Sequence, residues 1–212
     1  VMGLNGYFQM LVRTINSGLR KVPVWALYIL LPLPAIVAVY LAISGQLGAE
    51  PIKELEHELG SVALKLLIIS LAITPLLKFA KINLVKFRRI IGLAAFFYVF
   101  VHLLVWLVLD VQVISHIWAD IVKRPYVTVG FAGFLLMVPL AVTSNNWSVR
   151  HLGPTWRTIH RLTYAAAILG GIHYIMLVRG FQLEPLIHMV VILAFLAARF
   201  PQWWKEWVRR SS

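Results

Sequence analysis

His160 and His173 lie thirteen residues apart in the apolar stretch IHRLTYAAAILGGIHY, and His102 lies inside a second one, IIGLAAFFYVFVHLLVWLVL. Imidazole is costly on a lipid-facing helix, so histidines inside apolar spans mark candidate functional sites. A rise of 1.5 Å per residue puts His160 and His173 roughly 20 Å apart along one helix axis. That separation suits two metal centres, one near each face of a bilayer. The pattern points to a transmembrane haem protein that moves electrons. Thirteen residues at 100° each also leave the two rings roughly 140° apart around an ideal helix. They share one interior only if that helix is distorted or the interior wraps it. Gly170-Gly171, between them, is the expected place for a bend or a close porphyrin contact.

These histidines need a frame of apolar helices, and the composition supplies one. The 212 residues are 60% hydrophobic, with a mean hydropathy of +0.82. A soluble domain of this size cannot hide so much apolar surface. The expected fold is all-α, a single polytopic membrane bundle over residues 1–212. Six transmembrane helices are expected, at Val24–Ile43, Val62–Leu77, Ile90–Leu109, Val127–Val142, Thr158–Val178 and Pro185–Phe200. The first apolar run reads as a retained anchor, and Pro32 and Pro34 are expected to bend it.

A net charge of +12 raises the question of nucleic acid. Long uncharged spans argue against it, and the charge is better read as topology. Arg13, Arg20 and Lys21, the run from Lys78 to Arg89, Arg150 to Arg161, and the C-terminal cations fall on one side. Seven of the eight acids fall on the other: Glu50, Glu54, Glu56, Glu58, Asp110, Asp120 and Glu184. Both termini are therefore expected on the cytoplasmic side.

With that topology, His102 and His173 come to similar depth in the outer half of the membrane. They can ligate one iron from opposite sides, each with its other ring nitrogen tied to a carbonyl or hydroxyl. Two strong axial ligands leave no open position and favour electron transfer. The chain has no cysteine, which excludes disulfides, thiolate-held clusters and covalent haem attachment. Any haem is therefore b-type. His160 lies near the cytoplasmic end with no evident second ligand, since the matching positions on the third span are Arg88 and Arg89. Loop His151 or water is the alternative ligand. Arg88, Arg89, Arg157 and Arg161 cluster there and suit haem propionates or a flavin phosphate; the alternative is ordinary positive-inside charge. His57, in the acidic run EPIKELEHELG, is an additional candidate at the outer face, and His116 and His188 are read as surface residues.

Competing readings are a histidine-relay transporter, a ferric- or metal-reductase-type haem protein, and a non-catalytic assembly subunit. Intramembrane carboxylates are scarce, which weakens the relay. No glycine-rich nucleotide motif is present, and the outer loops are too short for a catalytic domain. Electrons must therefore enter from one partner or lipid carrier and leave to another.

GAEPIKELEHELG, KFRRIIGL, the span around His102, KRPYVTVG and LGPTWRTIHRLTYAAAILGGIHY together resemble the MsrQ (YedZ) family, within the ferric-reductase-like superfamily. The resemblance runs from about Gly48 to Arg199. It implies a haem-binding membrane subunit of a bacterial protein-methionine-sulfoxide reductase system in the inner membrane. It implies one or two haem b groups and FMN. Electrons would come from the quinone pool or a cytosolic flavin reductase and pass to MsrP, a periplasmic molybdenum enzyme. On this resemblance His102, His160 and His173 match the family's haem histidines, and His57 matches a further histidine of the family. The chain lacks the wider superfamily's second histidine on the third span. It is expected to have no methionine-sulfoxide site of its own.

Overall fold

A computed structural model describes residues 4–178 and 180–199; the side chains of residues 4, 5 and 114–117 lie outside the description. Every regular element among the described residues is helical. Four candidate membrane spans meet the length and apolarity needed to cross a bilayer: Val24–Ile43, Pro51–Ala80, Val85–Val111 and Pro125–Val142. The helices within and around them are α1 (Leu4–Lys21), α2 (Val24–Leu30), α3 (Leu33–Ile43), α4 (Pro51–Pro75), α5 (Arg88–Val105), α6 (Ile114–Lys123), α7 (Pro125–Val142), α8 (Asn146–Leu152), α9 (Pro154–Ile159), α10 (Leu162–Leu177) and α11 (Leu183–Ala197).

The first expected span bends between α2 and α3, at Pro32, as the two prolines require. The second is longer than expected. Pro51 takes the first helical position, where its missing N–H costs nothing, so the acidic run becomes the opening turns of α4. Pro75 lies near the other end and leaves the Leu71 carbonyl without its N–H partner four residues on. A π-turn follows at Leu76–Ala80, closed by Lys81 in the left-handed region at φ 59°. The third expected span is α5 plus a π-turn at Trp106–Val111.

The fifth expected span is not one helix. The chain turns at His160–Arg161, between α9 and α10, and His160 caps α9. The turn is not at Gly170-Gly171, which α10 passes through unbroken. Those glycines serve close packing. A Cβ on Gly170 would sit 3.3 Å from Leu64, and one on Gly171 would sit 2.7 Å from Met189. α10 and α11 have 16 and 15 residues, short of the ~20 that a full span requires.

α4 is the central post. Leu55, Leu59, Ala63 and Leu67 pack with Ala94, Ala95 and Tyr98 of α5, and Leu64 and Leu71 pack with Ala167, Tyr174 and Ile192 of α10 and α11. The bundle therefore has an acidic end, where α4 begins, and a basic end, where α5 begins. α1 lies against the basic end. Asn16 bonds the Lys81 carbonyl and the Asn83 N–H, and Lys86 caps the last turn through the Arg20 and Val22 carbonyls.

Candidate functional site

His102 on α5 and His173 on α10 meet inside the acidic end. Their ring centroids are 6.3 Å apart and their planes cross at 80°. His102 Nδ1 lies 2.9 Å from the Glu56 carbonyl on α4, and His173 Nδ1 lies 2.7 Å from the Tyr126 carbonyl on α7. With each Nδ1–H donating to a carbonyl, each Nε2 is left as the ring nitrogen with a lone pair to offer a metal.

One device sets both rings. The accepting carbonyl of Glu56 is followed four residues later by Gly60, and that of Tyr126 by Gly130. Residues four apart stack on one helix face, so each glycine clears the path to the carbonyl one turn back. That oxygen has a second lone pair beyond its helical bond. The two sites differ in tightness. A Cβ on Gly60 would lie 3.5 Å from His102, ordinary contact, whereas one on Gly130 would lie 2.7 Å from His173 Nδ1. Gly130→Ala is therefore expected to push His173 off its carbonyl, at about 1–3 kcal/mol of stability, and to disturb any ligand the ring holds. Gly60→Ala is expected to do neither. Thermal unfolding and absorption spectra of the two variants check this pair; equal behaviour would count against the device. Neither glycine was singled out from the sequence. The available signal was a glycine inside an apolar helical run, which usually has a packing or functional reason.

The rings open into a cavity of about 420 Å³. Val99, Leu103, Phe131, Phe134 and Leu177 give it an apolar wall, and Lys53, Glu56, Asp110 and Arg124 stand on its lining. His57 also lines it, with its ring 5.8 Å from that of Tyr174, which His188 approaches at 5.8 Å from another side. One Glu56 carboxylate oxygen is buried without a hydrogen-bond partner. Among the described residues no three His, Cys, Asp or Glu side chains gather as a metal site. Two histidines suffice only when a macrocycle supplies the other ligands. An iron–nitrogen bond of about 2 Å on each side, plus the ring half-widths, calls for centroids roughly 6.4 Å apart. The observed spacing fits bis-histidine haem ligation.

The basic end holds a second cavity, of about 690 Å³. His160, Arg88, Arg89, Arg157 and Arg161 all line it, so the structure gathers this candidate set from α5, α9 and the turn before α10. The His160 ring stacks on Trp156, centroids 3.8 Å apart, and its Nδ1 meets the Trp156 carbonyl at 3.1 Å. Trp156 is itself anchored by its indole N–H on the Thr143 carbonyl. Nε2 has only a long 3.5 Å approach from Ser144 Oγ. His151 is not among the residues lining this cavity; it stacks on Trp147 and bonds that residue's carbonyl. Sequence reasoning missed Arg199 in this lining, having read it only as a topological charge. The two cavities share Leu67 and Met137, and Phe96 of the second stacks on Phe134 of the first.

The family model for the ferric reductase like transmembrane component matches residues 59–171. The protein-methionine-sulfoxide reductase heme-binding subunit MsrQ of Brucella anthropi is 43% identical over 188 residues, 88% of this chain and 84% of the relative. Its counterpart in Agrobacterium fabrum is 40% identical over 196 residues, 91% of each chain. That of Brucella ovis is 43% identical over 176 residues, 82% of this chain and 80% of the relative. No solved structure matches.

Proposed function

The chain belongs to the MsrQ family of ferric-reductase-like membrane proteins, and from that premise we propose that it is the electron-transfer subunit of a methionine-sulfoxide reductase system. One observation carries the reading: the two imidazoles 6.3 Å apart, each with Nδ1 tied to a backbone carbonyl. His102 and His173 hold one haem b in the acidic-end cavity. The haem, when bound, takes up and releases one electron at a time. The Glu56 and Tyr126 carbonyls fix both ring tautomers and both ring planes. The apolar wall of Val99, Leu103, Phe131 and Phe134 would exclude water from the space around the haem.

His160 and the arginines make the basic-end cavity the second cofactor site, for FMN or a second haem b more loosely held than the first. Arg88, Arg89, Arg157 and Arg161 provide donors for its acidic groups. The apolar residues shared by the two cavities suit electron passage and not a proton relay, which needs a polar chain.

The lysine and arginine asymmetry supports six spans with both termini in the cytoplasm, α10 and α11 supplying the short fifth and sixth, in a bacterial inner membrane. Electrons enter at the basic end from the quinone pool or a cytosolic flavin reductase. They leave at the acidic end to a periplasmic molybdenum-containing reductase, MsrP. Glu50, Glu54 and Glu58 are the exposed acids for that docking; Glu56 lines the haem cavity and is excluded.

A dithionite-reduced spectrum with a haem-to-protein ratio tests the reading, and a purified chain without haem would refute it. Neutralising Glu50, Glu54 and Glu58 together is expected to slow reduction of the periplasmic partner in a salt-dependent way, because rim charges mainly steer encounter. The haem spectrum should stay as it is. Unchanged partner kinetics at low salt would remove these acids from the docking surface.

A further inference from the structure

Arg199 follows the last turn of α11 and is only 3% exposed. Its Nη2 donates to the Leu71 carbonyl at 2.6 Å, the oxygen that Pro75 leaves without a helical partner. Its Nη1 donates to the Tyr164 hydroxyl at 2.9 Å. Its Nε is buried with no hydrogen-bond partner. Both of these partners are neutral, and among the described residues no carboxylate is paired with it. A buried cation without a counter-charge is strongly unfavourable.

The same side chain lines the basic-end cavity beside Lys86, Arg88, Arg89, Arg157 and Arg161, and no aspartate or glutamate is among the described lining residues. We propose that Arg199 is an anion-binding residue of this cavity, and that an acidic oxygen group on the cavity's occupant is its counter-ion. The role depends on the cavity being a cofactor site. It adds a fifth arginine to that site and gives the occupant its chemical class: a ring system bearing a phosphate or carboxylate, with that group placed toward the Leu71–Tyr164–Arg199 corner. The phosphate of a flavin nucleotide and the propionates of haem share this chemistry.

The full-length chain in detergent, titrated with paired ligands, tests it. One arm compares FMN with riboflavin by flavin fluorescence. The other compares haem b with its dimethyl ester by absorbance, counting haem beyond the one that His102 and His173 hold. The wild type is expected to prefer the acid-bearing form by about tenfold or more in the arm that fills the cavity, the scale of one hydrogen bond to a charged group. Arg199→Gln should lower that preference by about tenfold, and Arg199→Lys should keep most of it. The preference is a ratio, so general loosening of the helix ends weakens both ligands and leaves it unmoved. Should Arg199→Gln fail to fold, Tyr164→Phe, which removes a partner and keeps the charge, must retain the preference. Full preference in Arg199→Gln, or loss of it in Tyr164→Phe, overturns the role of Arg199 alone. A wild-type chain that binds neither ligand of either pair overturns the cofactor reading and this role with it.

Discussion

Replacing His102 or His173 by alanine is expected to remove the low-spin haem spectrum altogether. On the proposed reading each ring would supply one of two axial bonds; His57, the other histidine of the cavity lining, stands against Tyr174. Either single variant should lose the haem or keep it five-coordinate and high-spin. The fold should survive, because each imidazole contributes one hydrogen bond to a carbonyl, a net of about 1 kcal/mol. Exogenous imidazole should restore a six-coordinate spectrum in part, since the deletion leaves a ring-sized space beside the open iron face. In the wild type, the 80° crossing of the ring planes is expected to give the ferric haem the strongly anisotropic electron paramagnetic resonance signal of perpendicular axial imidazoles. Retention of a normal six-coordinate spectrum by both single variants would refute the pairing.

Replacing His160 by alanine is expected to separate the two cavities functionally. Its Nε2 faces the basic-end cavity with only a distant serine hydroxyl, while Trp156 and that residue's carbonyl fix its ring. Loss of the ring should abolish the second cofactor's spectral or fluorescence signature and leave the haem held by His102 and His173 intact. Reduction of that haem by a reductant confined to the basic face should slow on the order of tenfold or more, the range for losing a group that holds a redox centre in place. Dithionite added to the detergent-solubilised chain, where both faces are accessible, should reduce it normally. A variant that keeps both signatures and both rates would show His160 to be a packing residue on Trp156.

The residue types alone determined a good deal. Lipid exposure forbids an unsatisfied backbone, and continuous apolar runs near span length, in place of the alternation of a barrel strand, pointed to helices. The absence of cysteine excluded covalent haem attachment and thiolate ligation. The expense of imidazole among apolar residues singled out His102 and His173 before any contact was known. Pro32 and Pro34 announced the bend before α3.

What the sequence left open depended on the meeting of distant segments. Helical periodicity assumed one continuous helix from His160 to His173, but the chain turns at His160–Arg161 and the two histidines line different cavities. No local propensity announces that turn, because no proline or glycine sits at it. The matching of Glu56 with Gly60 and of Tyr126 with Gly130 looked like four unrelated residues. Its meaning appears only when α5 and α10 bring their rings against α4 and α7. Arg199 carries the same lesson from the other side. In sequence it is one more cation near a membrane end, where cations are ordinary. Only the packing of α11 against α4 turns it into a buried charge with no counter-charge among the described residues, because burial and pairing are properties of the assembled bundle and not of the residue.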